Sequence, residues 1–194
     1  MPSHKLYLAG PEVFRRDARD EGARLKALCE AAGMEGLYPL DAGDADIRRG
    51  CIALIHRADA MVANISPFRG HHMDPGTAFE IGYAQALGKP VYLWSADPRA
   101  LTERIPAHGE ADRDADGHLI EDFGKAENLM IVPDGAHVFA SAEEAIAEAG
   151  SRVSHGALNR QLQRETRRSV VIAFGIAIAV AFGASFVVNR LVGW

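Results

Sequence analysis

The sequence predicts an α/β protein with a flavodoxin-like or Rossmann-like parallel sheet of about five strands, flanked by helices. Short apolar runs of strand length alternate along the chain with longer segments of helical periodicity. Each connection is long enough to hold a crossover, which parallel strands require. A third feature, an uncharged apolar run at residues 170–188, predicts an additional C-terminal transmembrane helix.

Five segments have the composition of buried strands. They are residues 4–9, 36–39, 60–64 and 91–94, and a short fifth strand at 137–140, alone or as a continuation of the apolar run 128–132. Gly10 and Pro11 break the first of these segments, and we interpret them as a turn that faces the substrate. No dinucleotide-binding glycine fingerprint follows that strand.

Helical periodicity and capping residues place the helices between these strands. The first helix is predicted over residues 15–32 and stops at Gly33. A second helix starts at Asp44 or Asp46, and a later one starts at a capping box formed by Ser141 and Glu144. The pattern therefore alternates strand and helix throughout, as a doubly wound sheet requires.

The stretch from Asp59 to Pro90 combines a strand, a polar loop and a helix. Asp74 is the expected N-cap of that helix, and Pro75 suits its first position. The helix is predicted to end near Gly88, just before Lys89 and Pro90. Glu80 lies six residues after Asp74, so both carboxylates are expected near the edge where a parallel sheet opens its crevice.

Three carboxylates in this stretch are candidates for chemistry. Asp59, Asp74 and Glu80 are expected at one sheet edge, where one carboxylate can attack an anomeric carbon while another protonates the leaving group. Each of these three residues also has a possible role that is purely structural. Asp59 can simply end a turn, Asp74 can simply cap the helix, and Glu80 can lie on the exposed helix face.

Composition excludes several classes of function. A formal net charge of −5 is opposite to the basic surface that nucleic-acid binding requires. Cys29 and Cys51 fall in helix-like apolar patterns, which indicates reduced core residues of a cytosolic domain rather than a disulfide or a metal site. His71 and His72 are adjacent in a loop, and we interpret them as surface or substrate-rim residues rather than a metal pair.

Four ordered blocks of sequence resemble the nucleoside 2-deoxyribosyltransferase family. They are LYLAGPEVF at 6–14, ADAMVANISPFRG at 58–70, DPGTAFEIGYAQALGKPV at 74–91 and EDFGKAENLMI at 121–131. The resemblance implies a catalytic domain at residues 1–150 that transfers 2-deoxyribose between nucleobases in nucleoside salvage. It implies no cofactor and no metal.

The resemblance also assigns roles to residues of this chain. Glu80 would attack C1′ of a deoxynucleoside, and Tyr7 would hold its carboxylate. Asp74 would bind the sugar 5′-hydroxyl or assist proton transfer, Asp59 would contact and help protonate the base, and Phe14 would line the base pocket. Gly10 would lie in the substrate-facing turn. The site would be completed by Asn128 and Met130 of a neighbouring subunit, which implies a homo-oligomer.

Two further functions and two interpretations of one loop remain open. An N-glycosidase would hydrolyse deoxynucleosides or their 5′-monophosphates, and a non-catalytic membrane-linked nucleotide sensor would bind without turnover. The charged stretch at 95–125 is either a solvated loop or an active-site lid.

The C-terminal part departs from the family pattern. Residues 151–168 form a helix-compatible juxtamembrane segment, and residues 169–189 are predicted to cross a membrane once. Four arginines precede the apolar run, at positions 160, 164, 167 and 168, and only Arg190 follows it. The positive-inside rule therefore places the catalytic domain in the cytoplasm.

Overall fold

The computed structural model describes residues 4–43, 46–109, 112–156 and Thr166. The chain divides into two compact units, Met1–Val153 and Ser154–Trp194. The parallel sheet and the cavity both lie in the first unit.

Five strands in the described part of the chain form one parallel sheet in the order β2-β1-β3-β4-β5. They are β1 (His4–Ala9), β2 (Met34–Leu37), β3 (Ala60–Asn64), β4 (Val91–Trp94) and β5 (Val138–Phe139). This is the flavodoxin-like order, so the predicted fold class is confirmed. The chain reverses its direction of winding between β1 and β3, and a crevice is expected at the carboxyl ends of these two strands.

Helices cover both faces of the sheet. They are α1 (Ala18–Ala31), α2 (Ile47–Arg57), α3 (Pro75–Ala86), the short α4 (Leu101–Arg104) and α5 (142–156). Alternate strand residues face opposite layers: Tyr7 and Met61 pack with α2 and α3, whereas Leu8 and Val62 pack with α1 and α5. The layer of α2 and α3 forms the wall of the crevice.

The predicted helix starts are confirmed at three caps. The Asp46 side chain accepts a hydrogen bond from the Arg49 N–H, at 2.9 Å, and Asp74 accepts one from Thr77. Ser141 Oγ accepts the N–H of Glu144, whose carboxylate in turn accepts the N–H of Ala140. Asp74 therefore caps α3 as expected, at the same end of the sheet as the crevice.

Several boundaries differ from prediction for local reasons. Strand β2 ends at Leu37 because Pro39 opens a short 3-10 helix, Pro39–Ala42. Helix α1 begins at Ala18 because residues Pro11–Phe14 form another 3-10 turn. The apolar run 128–132 is a turn rather than a strand, since the N–H groups of residues 131 and 132 both donate to the Asn128 carbonyl.

In the ranges described here, no helix is both long and apolar enough to cross a bilayer. The predicted span at 169–189 lies outside the described residues, as does most of the segment 151–168.

Candidate active site

A cavity of about 610 Å³ opens beyond the carboxyl ends of β1 and β2. Its lining comes from the turn after β1, from the 3-10 turn after β2, from α2 and from the first turns of α3. The residues of interest among its lining are Gly10, Phe14, Cys51, Asp74 and Glu80. The volume is within the usual range for small-molecule sites, which is about 300–1,000 Å³.

A buried tyrosine holds the cavity's glutamate. Tyr7 is fully buried in the middle of β1, on the face covered by α2 and α3. Its hydroxyl donates a hydrogen bond to Glu80 Oε1 at 2.6 Å. Burial raises the pKa of Tyr7, and the charge of Glu80 raises it further, so the phenol stays protonated and acts as a donor. The predicted contact between Tyr7 and Glu80 is therefore present.

The environment of Glu80 keeps its proton affinity unusually high. Burial is the main cause and raises its pKa to about 7, with the negative charge of Asp74 adding to the effect. The hydrogen bond from Tyr7 and the thiol of Cys51 act in the opposite direction, because both favour the carboxylate. With a pKa of about 7, Glu80 is present both as the acid and as the carboxylate at neutral pH, and burial leaves the carboxylate less solvated than one at the surface.

Asp74 serves both as a cap and as part of the cavity wall. Its Oδ2 accepts hydrogen bonds from the N–H and the hydroxyl of Thr77, at 2.8 and 3.0 Å. Its Oδ1 accepts no hydrogen bond from any described residue, and the side chain lines the cavity. One oxygen therefore fixes the start of α3, which leaves the other free for a substrate hydroxyl.

Sequence reasoning missed a polar network behind the cavity. Asn64, at the end of β3, donates to Glu12 Oε1 at 2.5 Å and accepts from the N–H and hydroxyl of Ser66. Ser66 Oγ accepts the N–H of Ala96, which follows β4. The network ties the turns after three strands together. A polar residue ending an otherwise apolar strand was the available signal, but its partner lies 52 positions away.

The position after β1 must be a glycine, because there is no space for a side chain at residue 10. A Cβ built on it would lie 2.0 Å from Glu12 Oε2 and 3.0 Å from Cβ of Asn64. Real Cβ atoms do not approach other atoms so closely, so a side chain here would displace the buried Glu12–Asn64 pair. The predicted substrate-facing turn thus does reach the cavity, and its backbone lies close to the cavity surface.

Aromatic rings and two arginines form the outer rim. Phe14 is 57% exposed and stacks on Phe68 with the ring centroids 5.3 Å apart. The Arg69 guanidinium lies over both rings, at 5.2 and 4.5 Å. Across the cavity, Arg48 lies 5.3 Å from the ring centre of Phe79. Phe14 was predicted, whereas Phe68, Phe79 and the arginines were not, because stacking between distant loops leaves no local pattern.

Asp59 is not part of this site. It precedes β3 at the amino end of the strand, where its Oδ2 accepts the Lys5 N–H at 2.8 Å and lies 3.5 Å from His4 Nδ1. Five strand residues separate it from the carboxyl edge, about 17 Å at 3.3 Å per residue. The prediction that Asp59 shares an edge with Asp74 and Glu80 and contacts the base is therefore wrong.

Asn128 and Met130 lie outside the cavity of their own chain. The Asn128 side chain donates to Glu121 Oε1 and accepts the Met130 N–H at 2.9 Å, and Met130 is 75% exposed. Both residues are therefore held in one turn with the methionine facing outward. Their contribution to a neighbouring subunit stays a prediction.

One group in the described ranges could hold a metal ion, and it is separate from the cavity lining. Ligand atoms of Asp114, Asp116 and His118 lie within 4.8 Å of one another in the loop after α4. Two of the three side chains are exposed.

The fold and the cavity together define a class of protein: a doubly wound α/β protein whose cavity, at the carboxyl side of the sheet, contains a glutamate held by a buried tyrosine. The chain belongs to the nucleoside 2-deoxyribosyltransferase family, whose sequence profile matches residues 6–130, and it is a transferase. The four-block resemblance is thereby confirmed.

Two known proteins are similar to more than half of this chain. A 2-desoxiribosyltransferase from Leishmania mexicana is 38% identical, with a TM-score of 0.68, over 76% of this chain and 97% of its own. An uncharacterized protein of Schizosaccharomyces pombe is 33% identical in an alignment 155 residues long, and the match covers 64% of this chain and 74% of that protein. The similarity to the solved structure supports both the fold and the family assignment.

Proposed function

We propose that the protein transfers 2-deoxyribose from one nucleobase to another by double displacement at Glu80. The observation that carries the proposal is the 2.6 Å hydrogen bond from Tyr7 to Glu80 at the wall of a cavity large enough for a nucleoside. The protonated phenol of Tyr7 donates to Oε1 of Glu80, which leaves Oε2 as the oxygen for attack on the substrate. The family assignment supplies the reaction class.

In the first half-reaction, a Glu80 carboxylate oxygen forms a bond to C1′ while the bond from C1′ to the base nitrogen breaks. The departing base takes up a proton, and the sugar remains as an ester of Glu80. A second base then attacks C1′, releases the carboxylate and loses a proton. Two inversions retain the anomeric configuration.

Other cavity residues suit the binding of this substrate. We assign the free Oδ1 of Asp74 to the sugar 5′-hydroxyl or to proton transfer with the base. The exposed ring of Phe14, stacked on Phe68, offers an apolar face for a nucleobase. Gly10 lets the backbone approach the substrate closely.

We propose that the working form is a homo-oligomer in which Asn128 and Met130 of one copy complete the site of another. The exposure of Met130 and the position of both residues outside their own cavity support this arrangement. We also propose a single C-terminal span at 169–189 that tethers the catalytic domain to the cytoplasmic face of a membrane, on the grounds of hydropathy and the arginine asymmetry.

A hydrolase is the second candidate. Its supporting observation is the open rim of the cavity, where Phe14, Ile47 and Phe79 are 57, 62 and 46% exposed. Water that reaches the deoxyribosyl ester would hydrolyse it, and the reaction would then need no acceptor base.

The test uses the full-length protein with deoxyinosine and free adenine, and chromatography of the products. Deoxyadenosine formed by the wild type and by Glu30→Ala, but not by Glu80→Ala, is the expected result. Glu30 is an exposed glutamate on α1 and serves as the matched control.

Two other outcomes would overturn the transferase proposal. Free hypoxanthine and deoxyribose released at a rate independent of adenine would indicate the hydrolase. Binding without turnover over a panel of nucleosides and 5′-monophosphates would indicate a nucleotide sensor.

A further inference from the structure

A buried carboxylate lies next to the site without lining its cavity. Glu127 is 2% exposed and precedes the predicted inter-subunit residue Asn128. Its Oε1 accepts the Met73 N–H at 2.7 Å, and its Oε2 accepts the Asn128 N–H at 3.1 Å. His72 Nδ1 lies 3.1 Å from the same Oε2. Burying a carboxylate is costly, so this arrangement calls for a structural reason.

The segment that leads into α3 is hydrogen-bonded to two buried side chains of opposite charge, Glu127 and Arg104. Met73, which Glu127 holds by its amide, directly precedes the cap Asp74. Two residues earlier, the carbonyl of His71 accepts a hydrogen bond from Arg104 Nη1 at 2.7 Å. Arg104 is itself 9% exposed and also donates to the carbonyl of Ala126. The segment 71–73 is thus linked to the segment 126–127 in two ways. The Met73 amide contacts Glu127 directly, and the His71 carbonyl is linked through Arg104 to the carbonyl of Ala126.

We propose that Glu127 is a positioning residue that fixes two parts of the active site at once, Asp74 in its own chain and Asn128 for the neighbouring one. The inference rests on the proposed function, because it gives Asp74 and Asn128 their roles. Through one carboxylate, the position of the cap in one site is tied to the position of the residue lent to the other.

The chemistry of the contacts explains why a glutamate is used. The two oxygens of Glu127 receive two backbone N–H groups and face one imidazole nitrogen. A glutamine has the same size but presents an amide NH₂ in place of one oxygen, so an N–H would face the backbone N–H of Met73 or Asn128. Glu127→Gln is therefore a nearly isosteric way to loosen the clamp.

The experiment is a double-mutant cycle in the full-length protein, with deoxyribosyl transfer as one readout. Glu127→Gln is expected to lower kcat/KM on the order of 10- to 100-fold, since small displacements of a positioned group are costly. In an Asp74→Ala background the same change should cost less than in the wild type, because only its effect through Asn128 remains. In an Asp74→Ala/Asn128→Ala background it should cost less than about 2-fold, because both groups that it positions are gone.

Hydrogen exchange supplies a readout that does not depend on activity. Amides in the segment 70–78 should exchange faster in Glu127→Gln than in the wild type. Leu25→Ala is the control for general destabilisation, since Leu25 packs on the opposite face of the sheet. It should lower the melting temperature while leaving exchange in 70–78 unchanged relative to the rest of the domain.

The two failures can be distinguished. A wild type without turnover overturns the proposed function, and exchange in 70–78 then decides on the clamp alone. Unchanged exchange there in Glu127→Gln overturns the clamp. So does a decrease in kcat/KM from Glu127→Gln that is as large in the Asp74→Ala/Asn128→Ala background as in the wild type.

Discussion

Carboxylates at the two edges of the parallel sheet differ in exposure and in hydrogen-bond partner. At the amino edge, Asp59 is 48% exposed and accepts the backbone N–H of Lys5. At the carboxyl edge, Glu80 is half-buried, held by Tyr7 and raised in pKa to about 7. Asp59 and Glu80 are only 21 positions apart, whereas Tyr7 and Glu80 are 73 apart. Strand direction, rather than proximity in sequence, determines which carboxylates line the cavity.

The largest expected effect separates the two edges directly. Glu80→Ala should lower kcat/KM on the order of 10³-fold or more, because it removes the proposed nucleophile. Asp59→Asn should change kcat/KM by less than about 2-fold, since it lies at the far edge. Steady-state transfer assays of both variants check this. A comparable loss in both would show that the two edges do not differ in function.

Tyr7→Phe should give the next largest effect. It removes a hydrogen bond to a charged group, worth about 1.5–3 kcal/mol, and should cost about 10- to 100-fold in kcat/KM at neutral pH. The hydrogen bond lowers the pKa of Glu80, so its loss should raise that pKa and move the acidic limb of the pH profile to higher pH. A profile of unchanged shape would argue against a direct contact in solution.

Asp74→Asn should move the acidic limb of the pH profile to lower pH, opposite to the effect of Tyr7→Phe. Asparagine caps helices as well as aspartate does, so α3 should keep its start. The negative charge that raises the pKa of Glu80 is removed, and the acidic limb should move to lower pH. We expect a loss of about 10-fold in kcat/KM. Circular dichroism serves as the control, and a pH limb that moves upward would contradict the electrostatic account.

The smallest expected effect concerns stability. The pKa of Glu80 is about 7 in the folded state and about 4.5 when the side chain is solvent-exposed in the unfolded chain, so between these values the folded state binds more protons. Stability should therefore fall as pH rises from about 4.5 to 7. Glu80→Gln should be more stable than the wild type by roughly 1–3 kcal/mol at pH 8 and about equal to it at pH 4. Denaturant unfolding at both pH values tests this, with Glu30→Gln as the control.

Local signals predicted much of the fold. The observed bounds of β1, β3 and β4 are those that their apolar runs predict, and Asp46, Asp74 and Ser141 cap helices as expected. Strand β2 was displaced because a proline turn competes for its last residues. The pairing of Tyr7 with Glu80 came from the family resemblance, and the geometry agrees with it.

The sequence by itself determined the alternation of strands and helices, the helix caps and the family, because these depend on periodicity, short-range hydrogen bonds and ordered motifs. Only the tertiary structure decided which edge each carboxylate occupies, and it placed Asp59 away from Asp74 and Glu80. It alone also brought Glu12 to Asn64 and Glu127 to Met73, across 52 and 54 positions. Such contacts depend on how parallel strands are ordered and on the burial of polar partners, neither of which leaves a mark at short range.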